Sequence, residues 1–287
     1  MRLLGWLLAR LPYAVVAAFG AAIGWLIWTL RIRRRVVLEN LGRAFPERTE
    51  AERLDIARRT YRTLGQMLAE FPRIPYLKEE QLERLFVADG WECYEAARDR
   101  GKGVVACTAH FGNFEALAAA HVMRGVPITT ISRQMAENWF NDAWRALRAR
   151  SGIDEIVVKR NATFSAALKA LKAGRVLGYV IDQNETSRSA VFPTFFGVPA
   201  ATSPTPAVLA LRSGAAVVFV VSYPLGDGRH RVVLEGPLDV PDTGDRDRDI
   251  LAFMQDLNGR LERWVREHPE QWYWLHRRWK TRPPDAN

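Results

Sequence analysis

Between Gly103 and Leu234 six short runs rich in β-branched and apolar residues recur: Gly103 to Thr108, Pro127 to Ile131, Glu155 to Val158, Val176 to Ile181, Ala216 to Val221 and Arg231 to Leu234. Stretches of helical character separate them. This alternation leaves few folds open, and it predicts an α/β body whose central, mostly buried mixed sheet is flanked by helices. Ligands in such sheets gather beyond the carboxyl ends of the strands. The residues that follow each run are therefore the first candidates for chemistry.

The rest of the chain fits one such body. At 287 residues and 48% apolar content it has material for one substantial core. Glu50 to Phe71 reads as an amphipathic helix, with Leu54, Ala57, Tyr61, Leu64 and Leu68 at three- and four-residue steps and a break at Pro72 and Pro75. The polar stretch Asp239 to Asp249 is a surface connection before a helix from about Ile250 to Glu267. Cys93 and Cys107, fourteen apart, have no zinc-ligand spacing and are expected to be reduced thiols, with Cys107 buried in its apolar run.

The net charge of +9 implies an anionic partner, which could be nucleic acid, phospholipid head groups or a phosphorylated substrate. Tyr13 to Leu30 carries no formal charge over eighteen residues. As a helix it would be about 27 Å long, against a bilayer core of about 30 Å. Arg31, Arg33, Arg34 and Arg35 follow it, which orients the bulk of the chain toward the cytoplasm. Residues 1–35 are thus expected to form a membrane anchor with a basic flank, either spanning the bilayer or lying at its interface, and residues 36–287 the catalytic domain.

Val104 to Cys107 leads into Thr108-Ala109-His110-Phe111-Gly112-Asn113-Phe114-Glu115 and then an Ala-rich helix former. His110 falls at a strand end, Gly112 in the turn, and Asn113 at a helix N-cap. Glu115, in the first helical turn, is expected to fold back on the imidazole and fix the tautomer that presents the other nitrogen as a base. Such a pair can deprotonate a hydroxyl. No serine or cysteine nucleophile accompanies it, so the hydroxyl would be the acceptor's and transfer direct. Backbone N–H groups near Gly112 are candidates for stabilising an oxyanion.

A histidine and an acid five residues apart is weak by itself, but the six residues from His110 to Glu115 resemble the His-Phe-Gly-Asn-Trp-Glu box of the lipid A biosynthesis acyltransferases, within the lysophospholipid acyltransferase superfamily. Phe114 replaces the usual Trp. The resemblance covers nearly the whole chain. Asn40-Leu41 with Ala44-Phe45-Pro46-Glu47, then Glu70, Ser132-Arg133 with Asn138, Arg150, Asp182-Gln183, and Phe195-Phe196-Gly197 look like successive family blocks. His268-Pro269-Glu270-Gln271-Trp272-Tyr273-Trp274-Leu275-His276-Arg277-Arg278-Trp279-Lys280 looks like the C-terminal signature. Between Gln183 and Phe195 the chain lacks the family's usual glycine.

The resemblance implies a glycerolipid acyltransferase-like fold at the bacterial inner membrane, with the catalytic domain on the cytoplasmic face. It also implies acyl carrier protein as donor, a lipid A precursor as acceptor, and neither cofactor nor metal. His110 and Glu115 would be catalytic. Gly112, Asn113, Arg133, Asn138, Arg150, Asp182 and Gln183 would bind substrate, with Arg133 on an anionic group of the acceptor. Asp182 could instead order its loop or a basic residue.

Competing readings are specific. A mannosylated phosphoinositide or other glycolipid could be the acceptor. A non-catalytic membrane or nucleic-acid binder would use the charge alone, and a lipid hydrolase would use water. His121 is expected to be a packed histidine and Ser203 a helix N-cap before Pro204. The tryptophans and cations around His276 suit a membrane interface better than nucleic acid.

Overall fold

The computed structural model describes residues 2–132, 139–157 and 162–284. The helices are α1 (Arg2–Leu8), α2 (Tyr13–Thr29), α3 (Arg34–Ala44), α4 (Glu50–Glu70), α5 (Glu79–Leu85), α6 (Trp91–Asp99), α7 (Phe114–Met123), α8 (Trp139–Arg150), α9 (Thr163–Lys172), α10 (Thr205–Ser213) and α11 (Arg246–Glu267). The strands are β1 (Phe86–Asp89), β2 (Val104–Thr108), β3 (Ile128–Ser132), β4 (Asp154–Val157), β5 (Val176–Val180), β6 (Thr194–Phe195), β7 (Val198–Pro199), β8 (Ala216–Pro224) and β9 (His230–Leu238).

Seven strands form one sheet in the order β1-β9-β8-β2-β5-β3-β4. It is parallel except for the β8–β9 pair, and β6 and β7 form a separate two-residue hairpin. The mixed sheet and its flanking helices are those the alternating runs predict. β1 escaped that reading because four residues, Phe86 to Asp89, lie between charged helical stretches and carry no period long enough to count.

Both faces of the sheet are covered. Val105, Cys107, Leu177, Val217 and Phe219 point into a core shared with Leu171, Leu209, Leu257 and the C-terminal tryptophans. Val104, Val176, Val218 and Val220 point the other way, toward Phe71, Leu117, Trp144 and Leu147. Each fully buried side chain of this size contributes about 1.5–3 kcal/mol.

Helix α4 is the support for the N-terminal region. Thr49 and Glu52 form a capping box at its start. Gly65 lets α2 approach so closely that an added Cβ would sit 2.1 Å from the Gly20 carbonyl oxygen. Among the described residues no single helix is long and apolar enough to cross a membrane, and α2 bends into α3 by 93°. Val16, Gly20 and Gly24 of α2 are buried, while Val15, Phe19, Trp25 and Leu26 remain exposed. Of the two placements expected for Tyr13 to Leu30, the structure shows a helix seated on the body with an apolar outer side, and among the described residues only the bent pair α2–α3 together has the length and composition of a span.

The C-terminal signature is also placed differently from expectation. Trp272 and Trp274 are wholly buried and Trp279 is 7% exposed, so these indoles are core rather than interface. Arg278 is buried with them, and burial pushes its guanidinium down to about 10. It donates to the Ala201 carbonyl and the Thr202 hydroxyl, both at 2.6 Å, and more distantly to the Gln183 carbonyl. Aromatic and basic composition is the same at a bilayer surface and around a buried arginine, so sequence could not separate the two.

Candidate active site

β2 and β5 are parallel neighbours, with Thr108 opposite Val180. Each chain continues two residues beyond that rung, one to His110 and the other to Asp182. The two side chains consequently meet although 72 positions separate them. His110 Nδ1 lies 2.8 Å from Asp182 Oδ1, and the His110 backbone N–H donates to Oδ2 at 3.0 Å. Trp272 Nε1 donates to the same Oδ2 at 2.8 Å.

Burial works against charge on both partners, but their mutual attraction outweighs it. The His110 ring is held above its ordinary value by Asp182, and Asp182 below the usual carboxylate range by His110 and Trp272. With Nδ1–H given to Asp182, Nε2 carries the lone pair. The Gln183 amide nitrogen lies 3.3 Å from it.

Glu115, expected to fold back on the ring, is engaged elsewhere. It accepts from Trp144 Nε1 at 2.9 Å and from Arg148 Nε at 2.9 Å, and Arg148 Nη2 closes a bidentate fork on the other oxygen. The first turn of α7 aims Glu115 across to α8. Arg148 also reaches Glu155 at 3.1 Å, and Arg145 reaches Glu155 at 2.7 Å. Burial opposes the Arg148 charge, but Glu115 and Glu155 outweigh it and hold its pKa up. Spacing brought His110 and Glu115 into one cavity; the carboxylate on the imidazole is Asp182.

The other expected residues divide. Gly112 has φ of 56°, and an added Cβ would meet the Ser222 carbonyl oxygen at 1.9 Å. Its N–H donates to the Gln271 carbonyl at 2.8 Å, so it is not the oxyanion donor suggested by its place in the turn. Asn113 does cap α7, accepting from the Ala116 N–H at 3.0 Å, and its amide donates to Glu70 at 2.9 Å. It is buried and positions the helix. Arg150 is exposed, with its guanidinium 4.6 Å from the Tyr76 ring centre. Among the described residues, the arginines that line the cavity are Arg145 and Arg148, neither singled out by the sequence pattern. Arg133 and Asn138 lie outside the described residues.

The family-like blocks turn out to brace this turn. Buried Glu70 accepts from Asn113 and from Tyr13 of α2 and pairs with His230 at 3.1 Å. Burial raises its carboxyl, but these partners overcome that and hold it ionised. Asn40 donates to the carbonyls of Trp274 and His276. Tyr273 N–H donates to the His110 carbonyl at 3.0 Å. His276 accepts from the Asn184 N–H at 2.8 Å, and burial pushes it down to about 4, so it stays neutral. Helix α10 starts at Thr205, and the Ser203 hydroxyl before Pro204 accepts from the Thr205 N–H at 3.4 Å as well as from the Tyr179 hydroxyl at 2.9 Å.

Asn113→Ala removes a cap and leaves Glu70 short of a donor. It is expected to lower the unfolding free energy by about 1–3 kcal/mol, measured by denaturant titration.

A cavity of about 590 Å³ opens at His110. Its charged end holds Glu115, Arg145, Arg148 and Glu155. Its apolar end runs between the sheet and α7, past Ala106, Gly178, Leu117 and Ile128. His121 lies at that end, buried, its Nδ1 2.9 Å from the Leu117 carbonyl. A basic imidazole thus stands where a polar pocket joins an apolar one. That arrangement suits proton transfer at the head of a hydrocarbon chain.

Residues 2–281 match the family described as bacterial lipid A biosynthesis acyltransferase. The lauroyltransferase of lipid A biosynthesis from Escherichia coli K12 is 30% identical over 97% of this chain and 89% of its own length. The palmitoleoyltransferase of the same organism is 27% identical over the same shares. Its myristoyltransferase is 26% identical over 88% of this chain and 76% of its own length.

Proposed function

The chain belongs to the bacterial lipid A biosynthesis acyltransferase family, and on that footing we propose that it moves a fatty acyl chain from an acyl carrier protein thioester to a hydroxyl of a lipid A precursor, with His110 as general base. The observation that carries this reading is that His110, its Nδ1 on Asp182, lines one cavity together with a charged cluster and an apolar wall.

In the proposed step the acceptor hydroxyl replaces the Gln183 amide at Nε2 and gives up its proton as its oxygen attacks the thioester carbonyl. The tetrahedral intermediate collapses with loss of the thiolate, which takes the proton back from the imidazolium. The products are an ester and a free thiol, and no acyl-enzyme forms. Asp182 holds the ring and stabilises the imidazolium. Glu115 serves by fixing Arg148, which with Arg145 offers positive charge to the acceptor's anionic groups; Arg133 is assigned the same task from the sequence.

Membrane attachment in this reading is interfacial. Leu3, Trp6, Leu7, Phe19, Trp25 and Leu26 present large exposed apolar side chains, and Arg31, Arg33, Arg34 and Arg35 follow directly. An apolar surface beside a cationic cluster fits an anionic leaflet, here the cytoplasmic face of the inner membrane.

The test is mass spectrometry of glycolipid extracts from cells with and without the gene. Lipid A that lacks one secondary acyl chain in the deletion strain is the expected result. Unchanged lipid A with another glycolipid under-acylated would move the acceptor assignment, and no change in any lipid would end the reading.

A further inference from the structure

Strand β5 has a glycine at its centre that the backbone does not require. Gly178 has no left-handed φ, and an added Cβ would make only ordinary contacts, the nearest at 3.4 Å to Thr130 Cγ2. Glycine in mid-strand weakens a sheet, and where nothing in the backbone demands it, it marks a place where another group comes close. The parallel register sets Ala106 and Thr130 on either side of Gly178 in one rung. All three line the cavity.

Ala106 is four residues before His110, two of them beyond the end of β2, so the rung lies at most about 13 Å below His110 along the chain at roughly 3.3 Å per residue. Beyond it the cavity continues among Val176, Ile128 and Ile153. A chain whose carbonyl lies at His110 must pass over this rung to reach that end.

We infer that Gly178 sets the acyl-chain length this protein accepts, by keeping the floor of the cavity bare where a long chain crosses β5. The inference rests on the acyl-transfer reading but concerns the passage itself. A side chain at 178 would project into the bore and expel the methylenes that lie past it, weakening binding about fourfold for each one. A chain that ends above the rung would be untouched.

The test uses wild type, Gly178→Ala and Gly178→Val, titrated calorimetrically with octanoate, laurate and palmitate, with transfer from the matching acyl thioesters measured in parallel. Palmitate affinity is expected to fall at least tenfold in Gly178→Val and by a smaller factor in Gly178→Ala, with octanoate changed less than threefold in both. Gly178→Ala keeps ordinary contacts, so it reports even if Gly178→Val folds poorly. Equal changes for palmitate and octanoate, or none for either, would overturn the inference. Chain-length-selective binding without transfer in wild type would uphold it and remove the proposed reaction.

Discussion

His110→Ala is expected to lower kcat for acyl transfer by about 10²–10⁴-fold, the usual range for losing a positioned general base. Asp182 keeps the His110 backbone N–H and the Trp272 indole as donors, so its buried charge is not stranded and the fold survives to be assayed. Single-turnover transfer from an acyl thioester isolates the step. A rate within a few fold of wild type would show that another group takes the proton.

Gly112→Ala acts through geometry instead. The new methyl group would lie 1.9 Å from one backbone atom and 2.9 Å from the next, both of Ser222, at a φ of 56°. Neither neighbour is a flexible side-chain end, so the turn itself must move and its bond to Gln271 must stretch. Stability is expected to drop by about 1–3 kcal/mol. Because the turn carries His110, kcat should fall about 10²-fold, as for a displacement of about 1 Å at a catalytic group. Thermal unfolding together with kcat on the folded fraction checks both parts. Full activity with lowered stability would mean that the position of the turn is not what holds His110.

Much of this site was legible from the chain. A histidine directly after an apolar run, a glycine two residues on, and Asn113 before an alanine-rich stretch describe strand, turn and cap. The structure adds that the glycine is required by the Ser222 carbonyl and that the cap is shared with Glu70. The partner of His110 was not legible. Glu115 is near in sequence, but the helical turn aims it at Arg148. Asp182 is remote in sequence, yet the β2–β5 register carries it to the ring. Sequence order would sooner pair β2 with β3; the sheet places β5 between them.

Arg148 was missed for a similar reason. Nothing in Arg145-Ala146-Leu147-Arg148-Ala149-Arg150 distinguishes three arginines on an amphipathic helix until Trp144 and Leu147 fix which face is buried. Arg148 then falls beside Glu115 and Arg150 beside Tyr76. The C-terminal signature was legible as a block but not as a role. Its work is to supply an indole to Asp182 and backbone partners to His110 and Gly112.

The proposed base and its carboxylate are tested together by the pH dependence of kcat/KM for acyl transfer in wild type, Asp182→Asn and Glu115→Gln. The ring acts as a base only when neutral, and Asp182 raises its pKa, so wild-type activity should be lost on acidification with a midpoint above the ordinary histidine value of about 6.5. Without the Asp182 charge, burial is the main influence left on the ring. In Asp182→Asn the acid limb should therefore move to lower pH while the plateau falls. Glu115→Gln should move its limb down by less than Asp182→Asn does, because the Glu115 charge raises the ring less than Asp182, and should act on acceptor binding. A limb that stays in place in Asp182→Asn, or that moves down further in Glu115→Gln than in Asp182→Asn, would contradict this account and return the carboxylate role to Glu115.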